Sequence, residues 1–189
     1  MKTIADAPKI ILIGPQKCGK TTIANFVCCN NDDSSKPDLS AKYVATAGCR
    51  ILEFEVQGVM SELWDCSGDH CYESCWSAFL QGKNKNDTEE QNRKVDGVIL
   101  VYDSNDPNQS DEIELWHQHF VKDNGISDYR CLIIANSFND ESQNVESART
   151  RVKVSSALRA CSFHELDWSQ PTKLRNAFHT FLSVILKES

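Results

Sequence analysis

The most constraining feature of this 189-residue sequence is a glycine-rich loop that directly follows a short apolar run. Lys9 to Ile13 is apolar apart from its first residue, which is typical of a strand covered on both faces. Gly14 to Thr21 then matches the pattern G-x-x-x-x-G-K-[ST], in which backbone N–H groups and a helix N-terminus hold phosphate groups. The sequence therefore predicts a phosphate-binding loop between the first strand and the first helix.

The residues of this loop receive separate predicted roles. We expect Lys20 to reach the β- and γ-phosphates and the Thr21 hydroxyl to ligate Mg²⁺. The predicted phosphate contacts of the loop are Gly14, Gln16, Lys17, Cys18, Gly19, Lys20, Thr21 and Thr22.

A second motif lies in Leu63 to Gly68, where an acid ends an apolar run and a glycine follows three residues later. Asp65 is expected to hold the Mg²⁺ through water. The Gly68 N–H is expected to bond the γ-phosphate, so that the segment after it moves when that phosphate leaves. The pattern D-x-x-G is weak alone and becomes strong after a phosphate loop and an intervening hairpin.

Apolar runs and helical stripes alternate along the rest of the chain. Val98 to Tyr102 and Cys131 to Ala135 repeat the buried-strand pattern, whereas Arg50 to Val56 and Met60 to Trp64 flank Gly58 as a hairpin would. This alternation predicts an α/β fold with a doubly wound, mostly parallel sheet of about six strands, one antiparallel edge strand and helices on both faces. We expect one domain over residues 1–189, with mobile loops near 30–45 and 81–94.

Two further helices are predicted from apolar spacing. One follows Ser110, which is expected to be its N-cap. The other carries an apolar stripe from Leu174 to Ile185 and begins near Pro171.

The net charge of −7 argues against a broad surface for nucleic acid or for anionic lipid. No apolar run approaches the roughly 20 residues that a membrane span needs. Lys2 excludes N-myristoylation and the end Leu186 to Ser189 has no cysteine for prenylation, so no lipid anchor is expected.

Nine cysteines without a signal peptide indicate reduced thiols. The densest cluster is Cys66, His70, Cys71 and Cys75, but it lacks the second distant ligand pair that structural zinc sites usually have. We interpret these residues as ordinary side chains of a loop and a helix. The histidines His117, His119, His164 and His179 have no acid–base partner that the sequence identifies.

At this point the sequence resembles the Ras-superfamily small GTPases over almost its whole length. The resemblance implies GTP or GDP with Mg²⁺ as ligands, Thr46 as a second hydroxyl ligand of the Mg²⁺, and Asn136 as the first residue of the guanine-binding motif N-K-x-D. Thr46 to Phe54, Glu62 to Asp69 and Tyr72 to Trp76 resemble more specifically the Rab-like GTPases of the intraflagellar-transport B complex. That likeness implies a cytoplasmic protein at the cilium or flagellum and its base, with a coiled-coil pair of that complex's core as partner.

Two departures from the family concern hydrolysis. Asp69 stands where the family usually has a glutamine that orients the attacking water, and a carboxylate there positions water poorly beside a γ-phosphate. Gln16 stands where active members prefer a small residue. Both residues are expected near the γ-phosphate, and no catalytic residue is assigned.

Two further departures concern the base. The motif reads Asn136-Ser137-Phe138-Asn139, so a guanine preference is expected to be softened because Asn139 replaces a carboxylate. The last base-contacting loop is expected at Leu166 to Ser169, with Asp167 and Trp168 contributing backbone contacts, rather than at Ser155 to Ala157.

Four functions remain open from the sequence. The first is a module whose contact with protein partners depends on GTP, with very weak intrinsic hydrolysis. The others are a GTPase activated by a partner, a scaffold that no longer binds nucleotide, and a nucleotide kinase, which the lack of an arginine-rich lid disfavours.

Overall fold

The computed structural model describes residues 7–29, 37, 42–81, 94–137 and 158–187. Within these residues the strands are β1 Lys9–Ile13, β2 Cys49–Val56, β3 Val59–Cys66, β4 Gly97–Asp103, β5 Cys131–Asn136 and β6 Ser162–Leu166. The α-helices are α1 Lys20–Cys28, α2 Trp76–Gln81, α3 Pro107–His117 and α4 Pro171–Lys187. Short 3-10 helices cover His70–Cys75 and Asp128–Arg130, and a π-helical turn over Gln118–Lys122 continues α3. The predicted mobile loops near 30–45 and 81–94 fall mostly outside the described residues.

The six strands form one sheet in the order β2-β3-β1-β4-β5-β6. β2 and β3 pair antiparallel, and the other neighbouring strands pair parallel. The hairpin turn has Gln57 at φ 53° and Gly58 at φ 77°, the left-handed conformation that tight hairpin turns need. The predicted mostly parallel sheet with one antiparallel edge strand is confirmed.

Helices cover both faces of the sheet. Successive side chains of a strand point to opposite faces. Ile10 and Leu12 of β1 accordingly pack with α1 and α4, whereas Ile11 and Ile13 pack with α3. All four isoleucine and leucine side chains are fully buried, as the nearly continuous apolar pattern of β1 predicts.

The predicted start of α3 is wrong. Ser110 lies inside the helix, and the N-cap is Asp106, whose side chain accepts a hydrogen bond from the Asn108 N–H at 2.9 Å. Pro107 occupies the first turn, where its missing N–H costs nothing. The Asp-Pro pair is thus a stronger start signal than the serine three residues later. The prediction that α4 begins near Pro171 agrees with the structure.

β6 is the strand that the sequence did not locate. It pairs only with β5 and most of its side chains are exposed, so it lacks the apolar run of the central strands. Trp76 lies in the core with its ring 4.7 Å from Trp116 and 5.0 Å from Phe120.

None of the helices in the described part of the chain combines the length and the apolar character that a bilayer crossing requires.

Candidate functional site

The glycine-rich loop leaves β1 at Gly14 and enters α1 at Lys20. Gly14 has φ 135°, and a Cβ there would lie 2.0 Å from the Val101 carbonyl oxygen, so only glycine fits. Lys17 at φ 61° and Gly19 at φ 91° turn the chain into the helix. The first N–H groups of a helix lack intrahelical acceptors, so this bend presents them as an anion-binding concavity.

Lys20 joins the loop to the second motif. Its side chain is buried, and its Nζ donates to the carbonyl oxygens of Gly14 at 2.8 Å and Pro15 at 2.6 Å. A Cβ on Gly68 would lie 2.6 Å from that Nζ and 2.4 Å from the Gly14 oxygen. The two predicted phosphate motifs therefore meet around one ammonium group.

Thr21, Thr46 and Asp65, the three predicted Mg²⁺ ligands, come together from three separate segments. The Thr21 hydroxyl donates to Asp65 Oδ2 at 2.8 Å and lies 2.9 Å from the Thr46 hydroxyl. Thr21 is the second residue of α1, Asp65 lies near the end of β3, and Thr46 precedes β2. Hydroxyl and carboxylate oxygens are the ligand types that Mg²⁺ takes in proteins.

The surroundings of Asp65 show whether the three predicted Mg²⁺ ligands suit a bound cation. The residue is fully buried, and its Oδ1 has no hydrogen-bond partner among the described residues. Burial raises the pKa of the Asp65 carboxyl, and the bond from Thr21 and the charge of Arg50 oppose that rise. An unpartnered buried carboxylate oxygen is costly. A divalent cation bound here would satisfy it, so the residues fit Mg²⁺.

Two residues that the sequence analysis did not assign support this site. Arg50 Nη2 donates to Asp65 Oδ2 at 3.1 Å and to Asn25 Oδ1 at 2.8 Å. Gln109 of α3 accepts from the Asp103 N–H at 2.9 Å and donates to the Gln16 carbonyl oxygen at 3.1 Å. Three of these four contacts join residues that lie at least 15 positions apart in the chain, so no local sequence pattern predicts them.

A cavity of about 590 Å³ lies over this cluster. Its walls are the loop with the start of α1, the segment 42–46, and Ser67 with Gly68. The predicted phosphate residues Gln16, Lys17, Gly19, Lys20, Thr21, Thr22 and Gly68 line it, whereas Gly14 and Cys18 lie beneath it, buried. The volume falls in the range of pockets that bury a small-molecule ligand.

Comparison with known families gives one match over most of the chain. The family described as Ras of Complex, Roc, domain of DAPkinase matches residues 9–139. The chain belongs to the Roc family of Ras-like GTPases. The matched range contains the glycine-rich loop, Thr46, Asp65 and Asn136, while Asp167 and Trp168 lie beyond it.

Individual relatives agree with the more specific resemblance. The protein named Intraflagellar transport protein 22 homolog from Danio rerio is 37% identical over 136 residues, which cover 67% of this chain and 64% of that protein. The Homo sapiens protein of the same name is 35% identical over 136 residues, covering 67% and 63%. The chain thus spans slightly less than two thirds of the length of these curated relatives.

Solved structures show the same fold. A GTP-bound crystal structure of T. brucei IFT22/74/81 superposes with a TM-score of 0.73 at 23% identity, covering 97% of this chain and 96% of that chain. A GDP-bound crystal structure of T. brucei IFT22 has a TM-score of 0.63 at 21% identity, covering 96% and 97%. The fold of these two structures therefore extends beyond residues 9–139 and covers nearly all of this chain.

In this Roc-family chain Asp69 is the N-cap of the 3-10 helix over His70–Cys75. Its carboxylate accepts from the Cys71 N–H at 2.9 Å, and this bond holds the pKa of Asp69 below its usual value. A hydrogen bond with the Gln16 side chain acts in the same direction. The two residues expected near the γ-phosphate thus contact each other across the mouth of the loop, and their effect on hydrolysis stays a prediction.

The predicted base-binding residues have structural roles in this Roc-family chain. The Asn136 side chain is fully buried, donating to the Cys18 carbonyl oxygen at 3.0 Å and accepting from Trp168 Nε1 at 3.1 Å. Asp167 accepts from the Ser169 N–H at 2.7 Å ahead of α4. Asn139 lies outside the described residues. Contact of these four residues with a base stays a prediction.

Proposed function

We propose that this Roc-family chain is a Rab-like small GTPase of intraflagellar transport that binds GTP or GDP with Mg²⁺ and contacts protein partners according to the bound nucleotide. The observation that carries the proposal is the convergence of Lys20, Thr21, Thr46 and Asp65 beneath the 590 Å³ cavity, with Asp65 Oδ1 unpartnered. A cradle of backbone amides beside a cation site suits a nucleoside polyphosphate.

The residues act in this proposal as follows. The loop N–H groups and Lys20 neutralise the phosphate oxygens, and Thr21, Thr46 and Asp65 hold Mg²⁺, which supplies charge neutralisation when bound. Thr46 and Gly68 belong to the two segments that border the cavity, so the conformation of both segments depends on whether the γ-phosphate is present. A partner that contacts those segments therefore binds differently to the GTP-bound and the GDP-bound forms.

Intrinsic hydrolysis is expected to be very weak. Enzymes of this class that carry the water-orienting glutamine hydrolyse GTP unaided at only about 10⁻⁴ s⁻¹. Here Asp69 caps a helix turn and contacts Gln16, so neither side chain is free to orient water in the described arrangement. A partner that supplies the missing group is the alternative by which the chain becomes an active GTPase.

Partners and location are proposed from the relatives. Proteins named Intraflagellar transport protein 22 homolog, and the T. brucei structure that contains IFT22/74/81, support intraflagellar-transport proteins as partners. We propose further that the partner is the coiled-coil pair of the B-complex core, and that the chain works in the cytoplasm at the cilium or flagellum and its base.

The decisive experiment identifies the nucleotide. Purified full-length chain is denatured, and the released nucleotide is identified by ion-pair chromatography, with GTP and GDP affinities then measured on stripped protein. Lys20→Ala is expected to weaken binding at least about 100-fold, because the buried ammonium that faces the phosphates is lost. Lys187→Ala is the matched control, since Lys187 is exposed at the end of α4 and does not line the cavity.

Wild-type protein that neither carries nor takes up a purine nucleotide refutes the proposal and leaves the scaffold alternative. The switch is tested separately by measuring partner affinity with GTP, with GDP and in Lys20→Ala. Equal affinity in the three states refutes nucleotide control even if GTP binds. Turnover of a nucleotide acceptor would indicate a kinase instead.

A further inference from the structure

Three metal-ligating side chains meet at the end of the sheet opposite the phosphate loop. His117 ends α3, Cys131 is the first residue of β5, and Cys161 directly precedes β6. All three are buried, and their ligand atoms lie within 4.8 Å of one another. Among the described residues, no other three metal-ligating side chains lie close enough together to share one ion.

A carboxylate that can serve as a fourth ligand lies beside the histidine. Asp128, in the 3-10 helix just before β5, places Oδ1 3.1 Å from His117 Nε2. Its other oxygen accepts from Lys122 Nζ at 2.6 Å. The Asp128 oxygens lie outside the set of ligand atoms that are within 4.8 Å of one another, so Asp128 must turn toward the thiols to complete the coordination of an ion held by the other three.

The distances agree with a tetrahedral zinc ion. With Zn–N near 2.0 Å and Zn–S near 2.3 Å, ligands at the tetrahedral angle lie about 3.5 Å apart for N and S and about 3.4 Å apart for N and O. His117 Nε2 lies 3.4 Å from Cys161 Sγ and 3.1 Å from the Asp128 oxygen. The separation of His117 and Cys161 therefore fits a shared ion directly, and Asp128 joins it through a change of its side-chain conformation.

We propose that His117, Asp128, Cys131 and Cys161 form a structural Zn²⁺ site, which we call the β5–β6 site. Four protein ligands close the coordination sphere, which is the mark of structural rather than catalytic zinc. Binding converts both thiols to thiolates and releases their protons to solvent. Two thiolates, one carboxylate and Zn²⁺ leave a charge of −1, which Lys122 neutralises.

A nucleophilic cysteine is the obvious competing interpretation of Cys161, His117 and Asp128. Such a triad needs the two nitrogens of the imidazole to face different partners, one the nucleophile and the other the acid. Here Cys161 and Asp128 both contact the same nitrogen, Nε2. A proton therefore cannot pass through the ring from the thiol to the carboxylate. An ion bound at Nε2 can instead be shared by His117, Cys161 and Asp128.

The place of the site in the fold gives the ion a role. β6 is an edge strand with mostly exposed side chains, so it has little apolar surface to hold it. Zinc bound by Cys161 would fix the residue before β6 to β5 through Cys131 and to α3 through His117. The strand that leads to Asp167 and Trp168 is thereby fixed at its start.

The first test needs no variant. Full-length chain is expressed with zinc in the medium, purified without chelator and measured for metal by mass spectrometry, where about one Zn²⁺ per chain is expected. Stripped protein titrated with Co²⁺ in saturating Mg²⁺ should develop the visible bands of a tetrahedral site and a near-ultraviolet band for two thiolates. Absence of both zinc and the cobalt–thiolate band overturns the proposal, and leaves only a hydrogen-bonded thiol cluster.

Variants locate the ion. Cys131→Ser with Cys161→Ser should abolish the thiolate band and lower zinc affinity at least about 100-fold. Cys71→Ser with Cys75→Ser removes the same number of thiols from the densest cysteine cluster of the sequence, and should leave both readouts unchanged. The opposite pattern overturns the proposal.

Asp128→Asn tests the fourth ligand without emptying the site. It keeps the side-chain volume and both thiolates, so the cobalt band should persist while zinc affinity falls about 10- to 100-fold. Unchanged affinity refutes the four-ligand assignment. Far-ultraviolet circular dichroism of each variant separates loss of metal from loss of fold.

Discussion

A methyl group added at Gly14 tests how closely the phosphate loop is held against β4. The Cβ of an alanine would lie 2.0 Å from the Val101 carbonyl oxygen, whereas real Cβ contacts essentially never fall below 3.0 Å. The loop or the central strand must therefore move by about 1 Å. The backbone at φ 135° is also a conformation that side chains rarely adopt.

The expected cost follows from these two effects. A non-glycine residue at positive φ costs about 1–2 kcal/mol, and forcing extra atoms into a packed region costs about 1–3 kcal/mol. Gly14→Ala should therefore lower the free energy of unfolding by about 2–5 kcal/mol, a large part of the roughly 5–15 kcal/mol that typical domains have. Gly58→Ala is the matched control: its φ is 77° and nothing lies within 4 Å of the added Cβ, so only the backbone cost remains.

Urea unfolding of nucleotide-free protein in a chelator, followed by circular dichroism, measures both variants. At a slope of about 2 kcal/mol per molar urea, the Gly14→Ala midpoint should lie about 0.5–1.5 M below that of Gly58→Ala. Gly14→Ala should also fail to take up nucleotide, while Gly58→Ala binds as the parent does. Equal midpoints with equal nucleotide uptake would refute the close contact between the loop and β4.

Three further outcomes are expected. Trp168→Phe removes the donor to Asn136 Oδ1 and leaves a buried acceptor unpaired, which should cost about 1–3 kcal/mol in urea unfolding. Gln109→Ala leaves the Asp103 N–H and the Gln16 carbonyl oxygen without their side-chain partner. It should weaken nucleotide affinity, measured by calorimetry, about 10-fold. Glu114→Ala, an exposed substitution in α3, is the control and should leave the affinity unchanged. Glu73 beside His70 raises the pKa of that imidazole, so its charged form adds stability that is present below pH of about 6.5 and is lost as pH rises through the raised value. Glu73→Gln should lower the pKa of His70 in an NMR titration, and an unchanged pKa would contradict the contact.

The elements that the sequence predicted well are those whose signal is local. β1, β4 and β5 are buried on both faces, so their apolar runs need no knowledge of the neighbours. The hairpin of β2 and β3 was visible because a single glycine separates two alternating runs. The phosphate loop is contiguous in sequence, and its Gly14 is required because a Cβ there would meet the Val101 carbonyl oxygen.

The failures lie where the decisive contact is distant. β6 exists because β5 offers it backbone partners, and its own exposed side chains carry no apolar pattern. Ser110 was preferred to Asp106 as the N-cap of α3 because the apolar stripe begins late, although Pro107 marks the true start. His117 was left without a partner, and the fold supplies Asp128 and Cys161.

The site was predicted unevenly for the same reason. Thr21 and Asp65 follow from motifs, and Thr46 followed from the family resemblance; the structure brings the three together. Arg50 is a strand residue with no motif, and only the pairing of β2 with β3 sets it beside Asp65. The densest run of cysteines, Cys66 through Cys75, was interpreted as ordinary side chains, and Cys131 and Cys161 carried no spacing signal because they come together from opposite sides of a long connection.

The contacts of Asn136 join two parts of the proposed nucleotide site. Its amide nitrogen is bonded to the phosphate loop at Cys18, and its amide oxygen to Trp168 beyond β6, so the residue ties the two halves of the site together. Both bonds of this tie join the Asn136 side chain to Cys18 and Trp168, and Asn139 lies outside the described residues. We therefore expect the departures at Ser137 and Asn139 to weaken recognition of the base more than they weaken the proposed hold on the phosphates. We expect a small difference between GTP and ATP affinity alongside a large difference between wild type and Lys20→Ala, and a strong guanine preference would show that backbone contacts alone suffice to read the base.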